Sequence, residues 1–278
     1  MLSYRHGFHA GNHADVLKHL VLVRALQLMQ KKPKPLCYLD THAGGGAYSL
    51  TSAQADKTAE FRAGIGRLWD ESEVPAPVVA YLEQVRHFSG AQLTRYPGSP
   101  QLASQLLGAT DRILLHDLHR TELRSLERLF GRDRRVRIRE EDGFAAGVSN
   151  MPPRERRGLM LIDPPYEIKT DYERVVKLLQ DAHRRFSTGV FALWYPVVER
   201  ARIDRLERAL QKSGIRRIDL YELAVRADAE PGMGASGMVV INPPWPLREE
   251  MDASLPWLAE VLGENGAGRF RVQELVGE

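Results

Sequence analysis

Residues 158–172 read GLMLIDPPYEIKTDY. The run 158–162 is unbroken by any polar residue, the pattern of a strand buried on both faces of a parallel sheet. It stops on an acid, Asp163, and two prolines follow. Proline cannot donate to a sheet ladder, so the strand ends here. Its carboxyl end therefore carries a carboxylate, a rigid turn and a flat ring, Tyr166.

The same kind of run recurs on both sides. PLCYLDT (35–41), RILLHDL (112–118), RVRIREED (135–142) and GVFALWYP (189–196) are strand-like, and helical spacing at about 121–130, 171–186 and 199–213 separates them. IRRIDLYEL (215–223) and GMVVIN (237–242) flank the loop RADAEPGMGAS and predict a hairpin. HADVLKHLVLVRALQLMQ, from His13, predicts a helix with Asn12 as its cap. Strand–helix alternation predicts a Rossmann-like α/β fold: a mostly parallel seven-stranded sheet with helices on both faces. The stretch before the strand at 112 is longer than a crossover needs. YPGSPQLASQLLG (96–108) supplies the crossover helix, with Ser99 as cap and Pro100 at the first helical position. Residues 51–95 are then an inserted helical subdomain on the main sheet, and 1–50 with 96–278 form the core domain.

The chain has 278 residues, 43% of them hydrophobic, enough for one large α/β domain. Its charge is +3 and its pI about 9.0, with 31 Arg against 8 Lys. Arginine binds phosphate bidentately and stacks on bases, so nucleic acid is a plausible partner. A lone cysteine, Cys37, excludes an intramolecular disulfide and a Cys-based zinc site. His9 and His13 have the spacing of a metal pair but lack an HExxH-type acid, so no metal is expected. No apolar run approaches the roughly 20 residues of a membrane span, and the start lacks a signal-peptide pattern. The expectation is a soluble, cytoplasmic monomer.

Three strand ends carry acids: Asp40, Asp117 and Asp142. The first continues into DTHAGGG (40–46), where Gly44 and its neighbours let the backbone approach a ligand. Asp117 sits where nucleoside-binding sheets place a carboxylate on ribose hydroxyls, and Asp142 with the Gly143 amide can read an adenine edge. This is the pattern of an S-adenosyl-L-methionine site. Lys18 can pair with the cofactor's carboxylate or be a solvated helix lysine. Asp163-Pro164-Pro165-Tyr166 fits a [DNS]-P-P-[YFW] motif. An exocyclic adenine nitrogen is a poor nucleophile because its lone pair is delocalised. Two acceptors on its two N–H groups, the Asp163 carboxylate and the Pro164 carbonyl, localise that pair. Tyr166 stacks on the base, worth roughly 1–3 kcal/mol, and the base must leave its stack to enter. INPPW (241–245) also fits the motif but follows the last predicted strand. It is read as a structural turn with Trp245 packing. Lys169 is an RNA candidate. Arg135, Arg137 and Arg139 share a strand face that either touches phosphate or is simply solvated. The basic loop PPRERRG (152–158) lies at the far end of the Asp163 strand.

MLSYRHGFHAGNHADVLKH, YLDTHAGGGAY, YPGSP, LIDPPYEIKTDY, ALWYPV and ASGMVVINPPW together resemble the bacterial 23S ribosomal RNA adenine-N6 methyltransferase family called large-subunit methyltransferase J. The resemblance runs from Met1 to about residue 260. It implies a Rossmann-like methyltransferase that turns S-adenosyl-L-methionine into S-adenosyl-L-homocysteine. It implies cofactor contacts at Lys18, His19, His42, Ser99, Asp117, Asp142, Gly143 and Asp163. It also implies Tyr4 and His6 at the substrate entrance. The substrate implied is one adenine of 23S ribosomal RNA, naked or early in assembly. Three rivals stay open: a DNA adenine-N6 methyltransferase, a protein-glutamine methyltransferase and a non-catalytic RNA-binding protein.

Overall fold

The structure is a computed structural model that describes residues 6–168, 170–227 and 233–278, without the side chains of His6, Gln54 and Asp56. Tyr4 and Lys169 lie outside the described residues.

The main sheet has strands β1 (Cys37–Asp40), β2 (Arg112–Asp117), β3 (Val136–Glu140), β4 (Gly158–Ile162), β5 (Val190–Val197), β6 (Ile218–Ala224), β7 (Ala235–Ile241) and β8 (Arg269–Val276). Their spatial order is β8-β6-β7-β5-β4-β1-β2-β3. β1 to β5 are parallel, with Leu39 beside Leu114 on one side and Met160 on the other. β7 runs antiparallel between β5 and β6, which makes the expected hairpin. β4 is buried at every residue, as its unbroken apolar run requires.

The sheet has eight strands, not seven. The extra strand, β8, pairs antiparallel with β6 at the edge. Its sequence, RFRVQELV, is mostly exposed or half-exposed. An edge strand needs little apolar alternation, because ladder hydrogen bonds to one neighbour hold it.

The strand order reverses at β1 and β4, whose connections leave toward opposite sides. In open α/β sheets that crevice takes ligands. One face of the sheet is covered by helix α1 (His13–Gln30), which has Val16, Leu17, Leu20, Val21 and Leu22 fully buried. The helix is buried around most of its circumference, and its polar residues Asp15, Lys18 and His19 have polar partners there. Here helices Ser99–Leu106, Ala76–Ser89 and Leu247–Leu262 enclose it against the sheet. Helices Gly143–Ser149, Asp171–Arg185 and Arg200–Gln211 cover the opposite face.

Residues 51–95 contain helices Ala53–Thr58, Glu60–Ala63, Ile65–Leu68 and Ala76–Ser89. Ala47–Ser49 and Arg95–Pro97 pair as a two-stranded ribbon across their base. Ile65, Leu68, Val78, Tyr81 and Leu82 bury into the same core as α1, so these helices lean on α1 rather than on the sheet. The crossover helix begins one residue earlier than expected. Gly98 is its cap and Ser99 its first residue, because the Ser99 hydroxyl is engaged elsewhere.

Candidate active site

The carboxyl ends of β1 to β4 and the start of α1 enclose one cavity of about 680 Å³. Its lining includes Lys18, His19, His42, Gly44, Ser99, Asp117, Asp142, Gly143, Asp163, Pro164 and Tyr166. Residues far apart in sequence meet there because strand ends meet.

Asp117 is fixed by two backbone donors, Gly44 N at 2.8 Å and His119 N at 2.7 Å. Burial pushes its carboxyl above the usual range. Gly44 turns the chain at φ +59, where glycine carries no steric penalty. Asp142 caps the helix Gly143–Ser149 through Phe144 N at 2.9 Å and takes Arg174 Nη2 at 3.0 Å. The Arg174 guanidinium lies 3.7 Å from the Phe144 ring centroid. Gly143 admits no side chain: a Cβ there would sit 1.9 Å from the Thr41 carbonyl oxygen. His42 meets Phe144 edge-on at 5.2 Å, and burial pushes its imidazole down to about 4. The ring is neutral at pH 7. The buried His19 ring pairs its Nδ1 with the Tyr96 hydroxyl at 2.7 Å, and that hydroxyl meets Tyr81 at 2.9 Å.

Asp40, the third strand-end acid, is fully buried and does not line the cavity. The Tyr38 and Ser99 hydroxyls donate to its Oδ2 at 2.6 Å each. Burial pushes its carboxyl up to about 6. The folded state therefore holds more protons at Asp40 than the unfolded state between about pH 4 and 6. This group alone makes stability fall as pH rises through that window. His13 and His42, both held down to about 4 by burial, act in the opposite sense. Asp40→Asn should remove the opposing slope. Its urea-unfolding stability should rise more steeply than the wild type's from pH 4 to 6, by about 3 kcal/mol across the window. Parallel curves would refute this.

The other half of the cavity is built on β4. Asp163 Oδ2 accepts from Lys18 Nζ at 2.7 Å, and Asp15 Oδ1 lies 2.9 Å from the same nitrogen. Asp15 Oδ2 in turn accepts from Gly11 N at 2.9 Å. Tyr166 has a left-handed backbone, φ +51, that turns its ring inward. Its hydroxyl donates to the Trp194 carbonyl at 2.7 Å, and its ring lies 4.6 Å from Tyr172 and 6.0 Å from Trp194. The carboxylate thus stands beside an aromatic wall with a fixed edge.

Sequence reasoning missed Asp15, Phe144, Tyr172, Arg174 and Trp194. Asp15 had a signal, since i and i+3 share a helix face and put it beside Lys18. The aromatics had none, because their part depends on the packing of separate elements. Of the arginine stripe, Arg135 is taken up by Asp133 and by the Leu107 and Ser104 carbonyls, so it holds the fold. Asn242 of the second Pro-Pro turn is at the opposite end of the sheet. Its Nδ2 donates to the Ser187 and Gly189 carbonyls at 2.8 Å each. Trp245 does not pack as expected: it is 80% exposed.

The inserted helices clasp the segment leading into α1. Glu60 Oε1 lies 3.0 Å from His9 Nδ1, and Glu60 Oε2 accepts from Asn12 Nδ2 at 2.9 Å. Asn12 Oδ1 caps α1 through Ala14 N and Asp15 N. The hydrogen bond to Glu60 raises His9 above its ordinary value. Glu60→Ala should cost about 1–2 kcal/mol, the pair being part-exposed. It should also return the His9 titration, followed by NMR, toward the ordinary value. An unmoved His9 titration would exclude the clasp.

A family model described as ribosomal RNA large subunit methyltransferase D, RlmJ, matches residues 33–276. The chain is similar to the ribosomal RNA large subunit methyltransferase J of Haemophilus influenzae, at 47% identity over 281 residues, and to that of Escherichia coli K12, at 49% over 280. Both alignments cover 100% of each chain. The crystal structure of protein LPL1258 from Legionella pneumophila is 33% identical with a TM-score of 0.89, covering 96% of this chain and 98% of that one. Sequence and fold agree from end to end with these relatives, and the chain belongs to the ribosomal RNA large subunit methyltransferase J family.

Proposed function

We propose that this protein methylates the exocyclic N6 of one adenine in 23S ribosomal RNA. The observation that carries the reading is Asp163-Pro164-Pro165-Tyr166 at the end of β4, in one cavity with the β1 glycine turn. Family membership supports a large-subunit ribosomal RNA as the substrate.

The cofactor half fits a nucleoside with a charged tail. Asp117 is held at both oxygens by backbone donors, and each oxygen keeps a lone pair for a ribose hydroxyl. Gly143 lines the cavity beside Asp142, close against the Thr41 backbone, and its amide would face the adenine edge in this reading. His42, Gly44, Ser99, His19 and Lys18 close the rest. S-adenosyl-L-methionine would supply the electrophilic methyl group there and leave as S-adenosyl-L-homocysteine. The chain's own residues orient the acceptor. Asp163 takes one N–H of the adenine amine and the Pro164 carbonyl takes the other, while Tyr166 stacks on the base. Lys18 holds the Asp163 carboxylate in place, so catalysis here is mainly positioning. Exposed Leu118, Ile168 and Val198 rim the cavity and offer apolar contact to a splayed nucleotide. Tyr4, His6 and Lys169 belong to the RNA side in this reading.

The core comprises 1–50 and 96–278, with 51–95 as an insertion that steadies the start of α1. The protein acts as a monomer in the cytoplasm on naked or early-assembly RNA. Among the described residues no helix is long and apolar enough to cross a membrane.

The test is transfer of labelled methyl from S-adenosyl-L-methionine into unmodified 23S RNA, digested to nucleosides, with duplex DNA in parallel. Label should appear in N6-methyladenosine from RNA. Label in DNA alone would give the case to a DNA methyltransferase. RNA binding without label in either would favour a binding protein.

A further inference from the structure

Two sequence motifs have no part in the cavity: the basic loop PPRERRG (152–158) and the second Pro-Pro turn, INPPW (241–245). The fold brings both to the end of the sheet opposite the cavity. Arg157 Nη1 donates to the Lys32 carbonyl at 3.2 Å and the Lys34 carbonyl at 2.5 Å, tying the basic loop to the lysines after α1. Arg185 Nε donates to the Met151 carbonyl at 2.9 Å. Asn242 joins the next pieces: its side chain holds the Ser187 and Gly189 carbonyls, and its amide donates to the Arg217 carbonyl at 2.9 Å. One continuous edge results, across β1, β4, β5, β7 and β6.

Lys32, Lys34, Arg156, Arg185, Arg216 and Arg217 are exposed along that edge, and Trp245 is 80% exposed at one part of it. The acids nearby only partly offset this charge. Glu155 is taken up by Arg112 and Arg154, and Glu278 lies 3.8 Å from Arg217. Exposed Glu249 and Asp252, on the helix after Trp245, bound the patch on one side. Arg156, Arg217 and Asn242 all have left-handed backbones, at φ 52, 56 and 53. Two arginines thus occupy positions where glycine would fit with less strain, held there by backbone hydrogen bonds from Arg156 N to the Pro153 carbonyl and from Arg217 N to the Gly277 carbonyl, which fixes where both side chains leave the edge.

We infer that this edge binds the phosphate backbone of a second segment of the substrate RNA, with Trp245 as a stacking platform for an unpaired base. The inference rests on the proposed function and extends it to a second contact. Strands lie about 4.8 Å apart, so the four steps from β1 to β6 span roughly 20 Å, room for several phosphates. A five-residue strand rises about 3.3 Å per residue, so roughly 16 Å of sheet separates the edge from Asp163. The nucleotide at this edge is therefore not a neighbour of the flipped one. The partner is a folded RNA that reaches round the protein.

The test uses the full chain with two variants, K32Q/R156Q/R216Q and Trp245→Ala. Affinity for transcribed, unmodified 23S RNA is measured across a salt series, beside S-adenosyl-L-methionine affinity and kcat at saturating RNA. The triple variant should weaken RNA binding on the order of tenfold at about 0.15 M salt. It should flatten the slope of log K against log salt by roughly 2–3, about one unit for each phosphate no longer neutralised. Trp245→Ala should weaken binding roughly fivefold or more with the slope kept. Cofactor affinity and kcat should stay at wild-type values in both. Unchanged affinity and slope overturn the inference whether or not the wild type transfers methyl. A fall in kcat with unchanged RNA affinity also overturns it, since the changes would then act through the fold. Failure of the methylation reading shows separately, as a wild type that binds RNA and does not label it.

Discussion

Asp163→Ala should still bind S-adenosyl-L-methionine, within about tenfold of wild type, and lose methyl transfer by a factor on the order of 10² to 10³. That is the size seen when one preorganised polar partner of a reacting group is removed. The reason is geometric. Asp163 stands at the end of β4 with one oxygen on Lys18 Nζ at 2.7 Å and the aromatic group of Tyr166, Tyr172 and Trp194 beside it. In the proposed reading the cofactor half rests mainly on the Asp117 carboxylate, Gly143 and the Asp142 cap, and Lys18 is its link to Asp163. Removing the Asp163 carboxylate would deprive the amine of one of its two proposed acceptors and would disturb the cofactor half only through Lys18. Calorimetry for the cofactor and single-turnover labelling for the RNA separate the two. Turnover near wild type would end the clamp assignment. Equal losses in both measurements would make Asp163 a cofactor ligand first.

The parts of this site that were legible in the sequence are those fixed by local rules. An apolar run that stops at Asp163 and two prolines reads as a buried strand wherever the chain goes next, and its end lines the cavity. Asp117 and Asp142 were legible for the same reason, because strand ends of a parallel sheet share one edge. The Ser99 hydroxyl is no helix cap, and nothing local says that the buried Asp40 lies opposite it. β8 is illegible because an edge strand carries a weak alternation and its partner, β6, is distant in sequence. The aromatic wall is illegible because Tyr166, Tyr172 and Trp194 come from a turn, a helix and a strand that only tertiary packing joins. Tryptophan usually packs, which is why Trp245 is expected to, and its exposure is a property of the turn that presents it.

Lys18→Met should be the most destabilising single change in the cavity. The Lys18 side chain is 6% exposed, between Asp15 at 1% and Asp163 at 18%. Removing the cation leaves two close carboxylates in a largely dry site, and breaking a buried pair in this way typically costs about 3–5 kcal/mol. The carboxylates respond as a coupled pair by keeping a proton between them. The folded variant then holds more protons than its unfolded chain above the ordinary carboxylate range. Its stability is best retained at low pH and lost as pH rises. Activity should run the other way, because the proton on the pair turns an acceptor of the adenine N–H into a competing donor. Urea unfolding and methyl transfer, each followed from pH 5 to 8, should therefore cross in this variant: least stable where most active. Adding Asp15→Asn removes one of the two charges and should restore much of the stability. It should not restore full transfer, since Asp163 still lacks the cation that orients it. A Lys18→Met protein as stable as wild type at pH 8 would mean that water reaches the pair freely. Asp163 would then be held by its strand and prolines alone.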